Sequence, residues 1–147
     1  MKRQERKETA NKGFSLVELI IVVAIMAVLI GVLAPQYLKY VERSRESADL
    51  QNYQTMITAL QVNAADIDGT AITAGTITFA KNAEPTFTTT NAKDILISVS
   101  ADPTGVRMKS DKYSAAVITI AVTDGVPTFT SNNTDLNTAL GIKATTP

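Results

Sequence analysis

The chain has 147 residues, 45% of them hydrophobic and only 5% aromatic, with no tryptophan, cysteine or histidine. That is the length of one ordinary domain, and the missing residue types exclude disulfides, thiolate or imidazole metal ligands and histidine general bases. Formal charge sums to zero, yet residues 1–13 hold five basic against two acidic side chains and residues 14–147 hold nine against twelve, so the body has no general attraction for DNA or an anionic membrane.

The first element begins at Lys12, in the run KGFSLVELIIVVAIMAVLIGVLAPQYL. Leu19 to Leu38 is 20 consecutive uncharged residues. As a helix they reach about 30 Å, the thickness of a bilayer's hydrocarbon core. Glu18 lies inside the apolar run, because Phe14, Leu16 and Val17 precede it. An ionisable side chain at such depth needs a partner and marks function. The run is too long for a secretory signal peptide, and Pro35 would spoil a cut within 33–37, so a retained span is expected. The basic N-terminus places the start of the chain in the cytoplasm and the body outside. Gly31 and Pro35 near the outer end allow two readings. One is an ordinary pair tolerated in a bilayer; the other is a soft point where the helix loosens on assembly.

From Lys39 to Ala65 there is neither Gly nor Pro. Leu50, Tyr53, Ile57, Leu60 and Ala64 recur at helical spacing and predict one apolar face. Lys39, Glu42, Arg43, Arg45, Glu46 and Asp49 are expected to be mostly solvated, with Arg45 and Asp49 an i,i+4 ion pair. Phe14 to Ala65 thus reads as one helix, ending at the turn cluster Asp66-Ile67-Asp68-Gly69. Asp66 and Asp68 lack the further regularly spaced oxygens of a calcium loop, so no metal site is assigned.

The remaining segment is rich in threonine, which suits half-buried strands. Thr76–Ala80 and Thr86–Thr90 read as strands. Asp94–Ser100 fits either a strand or a short helix. Tyr113–Thr123 is a β-branched run, and Asp124-Gly125 turns it into Val126–Thr130, the strongest hairpin signal present. Asp135–Leu140 predicts a terminal helical turn closed by Gly141. The expected fold is α+β: a long N-terminal helix packed against a small antiparallel sheet. Arg107, Lys109 and Lys112 form a short basic stretch, a solvated loop before it is a contact for nucleic acid. Asn132-Asn133-Thr134 matches an N-glycosylation sequon, and the threonines could accept O-glycans. No phosphate loop, nucleophile with a base, or framed carboxylate pair is visible, so no enzyme and no cofactor are expected.

Lys12-Gly13-Phe14-Ser15-Leu16-Val17-Glu18-Leu19, followed by the apolar helix with Pro35, resembles the prepilin signature of type IV pilins and related pseudopilins. The resemblance is specific over about residues 12–50. It implies cleavage after Gly13 by a membrane prepilin peptidase that then N-methylates Phe14, and pairing of Glu18 with the terminal amine of a neighbouring subunit. It also places Pro35 where the helix loosens during polymerisation. The division it implies is a leader at 1–13, a transmembrane and assembly helix at 14–38, an amphipathic helix half at 39–66 and a sheet head at 67–147.

The partners implied are further copies in a helical filament, the peptidase and methyltransferase, the pilus assembly machinery, and a membrane before assembly. The expected function is a structural subunit of a surface filament supporting adhesion, aggregation or motility, first anchored in the membrane and then part of an extracellular pilus. The alternative within the family is a pseudopilin of a type II secretion or DNA-uptake system. From a different class, a single-span anchored binding module would show no processing at Gly13. The absence of cysteine departs from the many Gram-negative pilins that staple a C-terminal loop with a disulfide.

Overall fold

The computed structural model describes residues 13–66, 71–89, 91–99 and 101–144. They divide into two compact units, with the boundary between Lys39 and Tyr40.

The first unit is helical. Helix α1 (Leu16–Ala65) is unbroken over 50 residues, so it supplies this unit and the opening of the next. Ser15 starts it, its carbonyl accepting from the Leu19 N–H at 3.2 Å. The chain stays helical through Pro35. A proline there has no N–H for the carbonyl four residues back, which belongs to Gly31.

The second unit combines the later turns of α1 with a five-stranded sheet. The strands are β1 (Gly75–Thr78), β2 (Thr86–Phe87), β3 (Val117–Thr123), β4 (Val126–Ser131) and β5 (Lys143–Ala144), in the order β2-β1-β3-β4-β5. The first four are antiparallel and β5 runs parallel to β4. Two short helices, α2 (Ala92–Ser98) and α3 (Thr134–Leu140), complete it. This is the α+β fold that the sequence predicts, with one parallel strand added.

Its core follows from two periods meeting. Tyr53, Met56, Ile57 and Leu60 share one face of α1, and Ile77, Ile118, Ile120 and Phe129 share one face of the sheet. Each such side chain contributes roughly 1.5–3 kcal/mol when fully buried. The Tyr53 and Phe79 rings meet edge to face at 4.6 Å. The expected helix face is shifted slightly: Met56 joins the core, while Leu50 and Ala64 stay half-buried at its margin.

Several boundaries differ from expectation for local reasons. Residues 111–115 form turns rather than the start of a strand. Tyr113 is held by side chains, its N–H donating to Ser110 Oγ at 3.1 Å and its carbonyl accepting from Tyr53 Oη at 2.7 Å. The ambiguous segment at 94–100 resolves as helix α2, which buries Ala92, Ile95 and Leu96 at helical spacing. The strand expected at Thr86–Thr90 narrows to two residues, although the Thr88 N–H still donates to the Thr76 carbonyl at 2.9 Å. Thr90 and Ser100 lie outside the described residues, as do Asp68 and Gly69 of the turn cluster. The hairpin forms where expected, Asp124 and Gly125 taking φ of 52° and 80°, the left-handed pair that a tight β3–β4 turn requires.

Candidate functional site

The N-terminal unit presents its chemistry at one end. Gly13 is exposed, Phe14 is 92% exposed, and every residue from 13 to 39 faces outward. The helix is long and apolar enough to cross a membrane. Glu18 is the sole carboxylate along this stretch, and its Oε2 accepts from the Ser15 N–H at 2.9 Å. Ser15 and Glu18 thus form the reaching-back half of a capping box, with the acid beside the positive end of the helix dipole. The sequence contains that signal, since Ser-x-x-Glu before an apolar run is the capping-box pattern, whereas residue type alone reads Glu18 as an acid awaiting a partner. Further along, Ala24, Ile25, Val28 and Leu29 border an apolar notch of about 300 Å³. Gly31 has no atom beyond its own helix within 4 Å of where a Cβ would stand.

The second unit is fastened by acids on α1. Asp49 is 1% exposed. It accepts from the Lys109 N–H at 3.0 Å, from the Ser110 N–H at 2.7 Å and from Ser110 Oγ at 2.6 Å. Glu42, seven residues earlier on the same side of the helix, accepts from the Asp111 N–H. Two carboxylates and the Tyr53 hydroxyl therefore clasp consecutive groups of residues 109–113. The expected Arg45–Asp49 ion pair is absent, because Asp49 is enclosed by this loop; Arg45 pairs with Glu42 instead, at 3.6 Å. Burial, and after it the Asp49 carboxylate, pushes the Tyr53 hydroxyl far above the ordinary phenol range, so it stays a donor.

The short basic stretch is largely engaged. Arg107 pairs with Glu84 at 3.1 Å and donates to the Asn82 carbonyl at 3.3 Å. Lys112 pairs with Asp135 at 3.4 Å and lies 5.3 Å from the centre of the Tyr113 ring. Asp111 is held below the usual carboxylate range by its hydrogen bond and ion pair with Lys81. A cleft of about 500 Å³ lies between Ala48–Asn52 and residues 104–109; at its edge the Thr104 hydroxyl donates to Asp102 Oδ1 at 2.7 Å, closing a local turn. Among the described residues, no three His, Cys, Asp or Glu side chains gather as a metal site would require.

Comparison with known proteins finds one motif and several relatives. A family model described as a prokaryotic N-terminal methylation motif matches residues 9–34. The type IV major pilin protein PilA of Myxococcus xanthus is 39% identical over 57 residues, which are 39% of this chain and 26% of that protein. Two type IV major fimbrial proteins FimA of Dichelobacter nodosus are similar. One is 39% identical over 59 residues, 40% of this chain and 38% of its own. The other is 41% identical over 54 residues, 37% and 35% of the two chains. The chain therefore spans well under half the length of the curated relatives it matches. No solved structure matches. The methylation motif and the likeness to major pilins support a type IV pilin.

Proposed function

We propose that this protein is the structural subunit of a type IV pilus, made as a membrane-anchored precursor and polymerised through its N-terminal helix. The observation that carries the reading is the exposed apolar surface of residues 14–38, interrupted by one carboxylate at Glu18. A patch of that size belongs against lipid or against other copies. The precursor holds its N-terminus in the cytoplasm, where a prepilin peptidase cuts between Gly13 and Phe14 and the new terminus is N-methylated. Removing the cationic leader frees the helix to leave lipid for a bundle of identical helices, where small residues such as Ala24 and Gly31 let backbones approach.

Cleavage creates an ammonium on Phe14, next to the Ser15 N–H that already donates to Glu18. In the filament Glu18 takes the ammonium of a neighbouring Phe14, leaving neither charge unpaired in a dry surrounding. Gly31 and Pro35 mark the stretch where the helix yields on assembly. The filaments act at the cell surface in adhesion, aggregation or motility, and the protein carries no catalytic role.

Mass spectrometry of filaments sheared from cells tests the reading. The N-terminal peptide should begin at Phe14 and carry one added methyl group. An intact Met1, or a cut after residue 34, would overturn it.

A further inference from the structure

The chain has four tyrosines, and the fold sorts them into two pairs. Tyr53 and Tyr113 are buried in the core of the second unit. Tyr37 and Tyr40 are 67% and 66% exposed, at positions i and i+3 of α1, just beyond the apolar stretch. Among the described residues neither of these hydroxyls meets a partner, and the same holds for the ammonium of Lys39. A phenol combines an apolar ring with a group that needs a hydrogen bond, and the headgroup layer of a bilayer satisfies both. The Lys39 side chain suits the same level, with its stem in lipid and its charge in water.

The helix fixes how far these rings lie from the other end of the span. From Leu16 to Tyr37, α1 rises about 32 Å. At an ordinary tilt of about 20° that stretch crosses about 30 Å, the depth of a hydrocarbon core. With Tyr37 among the outer headgroups, Leu16 therefore stands at the inner edge. Gly13, Phe14 and Ser15 precede the helix, exposed and outside regular structure. The Gly13–Phe14 bond then falls in the cytoplasmic headgroup layer.

Two displacements could move that bond. Sinking is opposed by the cationic leader, which would be dragged into lipid. Rising into the cytoplasm is not opposed by the leader, nor by Val, Ile and Leu, which lie equally well at any depth of hydrocarbon. That direction is left to the outer end.

We propose that Tyr37 and Tyr40 are positioning residues for the cleavage. Seated in the outer headgroup layer beside Lys39, they stop α1 from sliding towards the cytoplasm and hold the Gly13–Phe14 bond at the surface where the peptidase cuts. The proposal rests on the processing reading given above and names what sets the depth of the bond.

The chain has no cysteine, so Ile20→Cys supplies a single depth probe about 6 Å inside Leu16. Full-length protein is displayed in vesicles with the cytoplasmic face outward and treated with a membrane-impermeant maleimide, and cleavage after Gly13 is followed by pulse-chase. With both tyrosines in place the thiol should be shielded. Adding Tyr37→Leu and Tyr40→Leu lengthens the apolar stretch outward. The helix should slide by about one turn, raising labelling roughly tenfold and slowing cleavage to a similar degree. Tyr37→Trp with Tyr40→Trp keeps the preference for headgroups and should restore both shielding and cleavage. A defect confined to the folding of the head would not expose residue 20. Should the double leucine variant fail to fold, Tyr37→Leu alone should raise labelling by a smaller factor. Unchanged labelling in both leucine variants, or tryptophan variants that label as the leucine ones do, would overturn the proposal. A wild-type chain that keeps Met1 would instead retire the processing reading, and labelling at residue 20 would still decide the anchor.

Discussion

Between Phe14 and Leu38 nothing on α1 is buried, whereas between Asp49 and Leu60 the helix buries Asp49, Tyr53, Met56, Ile57 and Leu60. The backbone is the same continuous helix in both stretches, so the difference lies in which solvent each was written for. Leu, Ile and Val cover every side of the first stretch, and no single neighbour within the chain could bury a helix that is apolar all round. The second stretch confines its apolar residues to one face and meets a sheet from the same chain. An all-round apolar helix takes lipid or many copies of itself; a one-sided helix takes a single partner.

The polar groups tell the same story at smaller scale. In the first region one carboxylate, Glu18, caps the helix from which it projects. In the second, Asp49 and Glu42 reach across to amides about sixty and seventy residues further along. The first region's acid remains available to an outside donor, while the second region's acids are committed to closing the head. A chain without cysteine holds its terminal half by carboxylates, hydrogen bonds and packing alone.

The sharpest way to break this contrast is Glu18→Ala. Membrane insertion and cleavage after Gly13 should persist, while loss of one partner of a desolvated ion pair costs assembly about 3–5 kcal/mol. Filament yield from sheared cells should fall more than about a hundredfold. Normal yield would show that the two regions' acids do not differ in kind. Next is Asp49→Ala, which strands two N–H groups and a hydroxyl in the interior at about 1–3 kcal/mol for each group left unsatisfied. The thermal midpoint of the detergent-solubilised chain, followed by near-UV circular dichroism, should drop clearly, with insertion unchanged.

A smaller effect is expected for Gly125→Ala, where a φ of 80° imposes a left-handed strain of roughly 1–2 kcal/mol. The same melting experiment reads it. The smallest concerns pH. Asp111 has a depressed carboxyl in the folded chain, so the unfolded chain binds its proton first. Its contribution is present above the ordinary carboxylate range and fades as pH falls through the lower folded value. Lys81→Met should remove that part of the acid sensitivity, measured as the difference in melting midpoint between neutral and acidic buffer.

What the sequence determined by itself was whatever neighbours along the chain decide. The span needs only its own run of apolar residues. The hairpin needs only Asp124-Gly125 between β-branched runs, and α3 ends because Gly141 takes a φ of 66° that other residues resist. The Ser15–Glu18 cap is equally local, although residue type alone passes over it. The tertiary structure decided the rest. By local pattern Asp49 reads as half of a surface ion pair, but in the fold the loop at 109–111 closes over it; Tyr113–Ala116 reads as strand, but Tyr53 and Ser110 take the backbone polar groups of Tyr113. The parallel strand β5 left no trace in two residues at the end of the chain, because a parallel neighbour is supplied by β4 and not by local pattern. Periodicity reports which side of an element is apolar; it cannot report what arrives from sixty residues away to cover a charge.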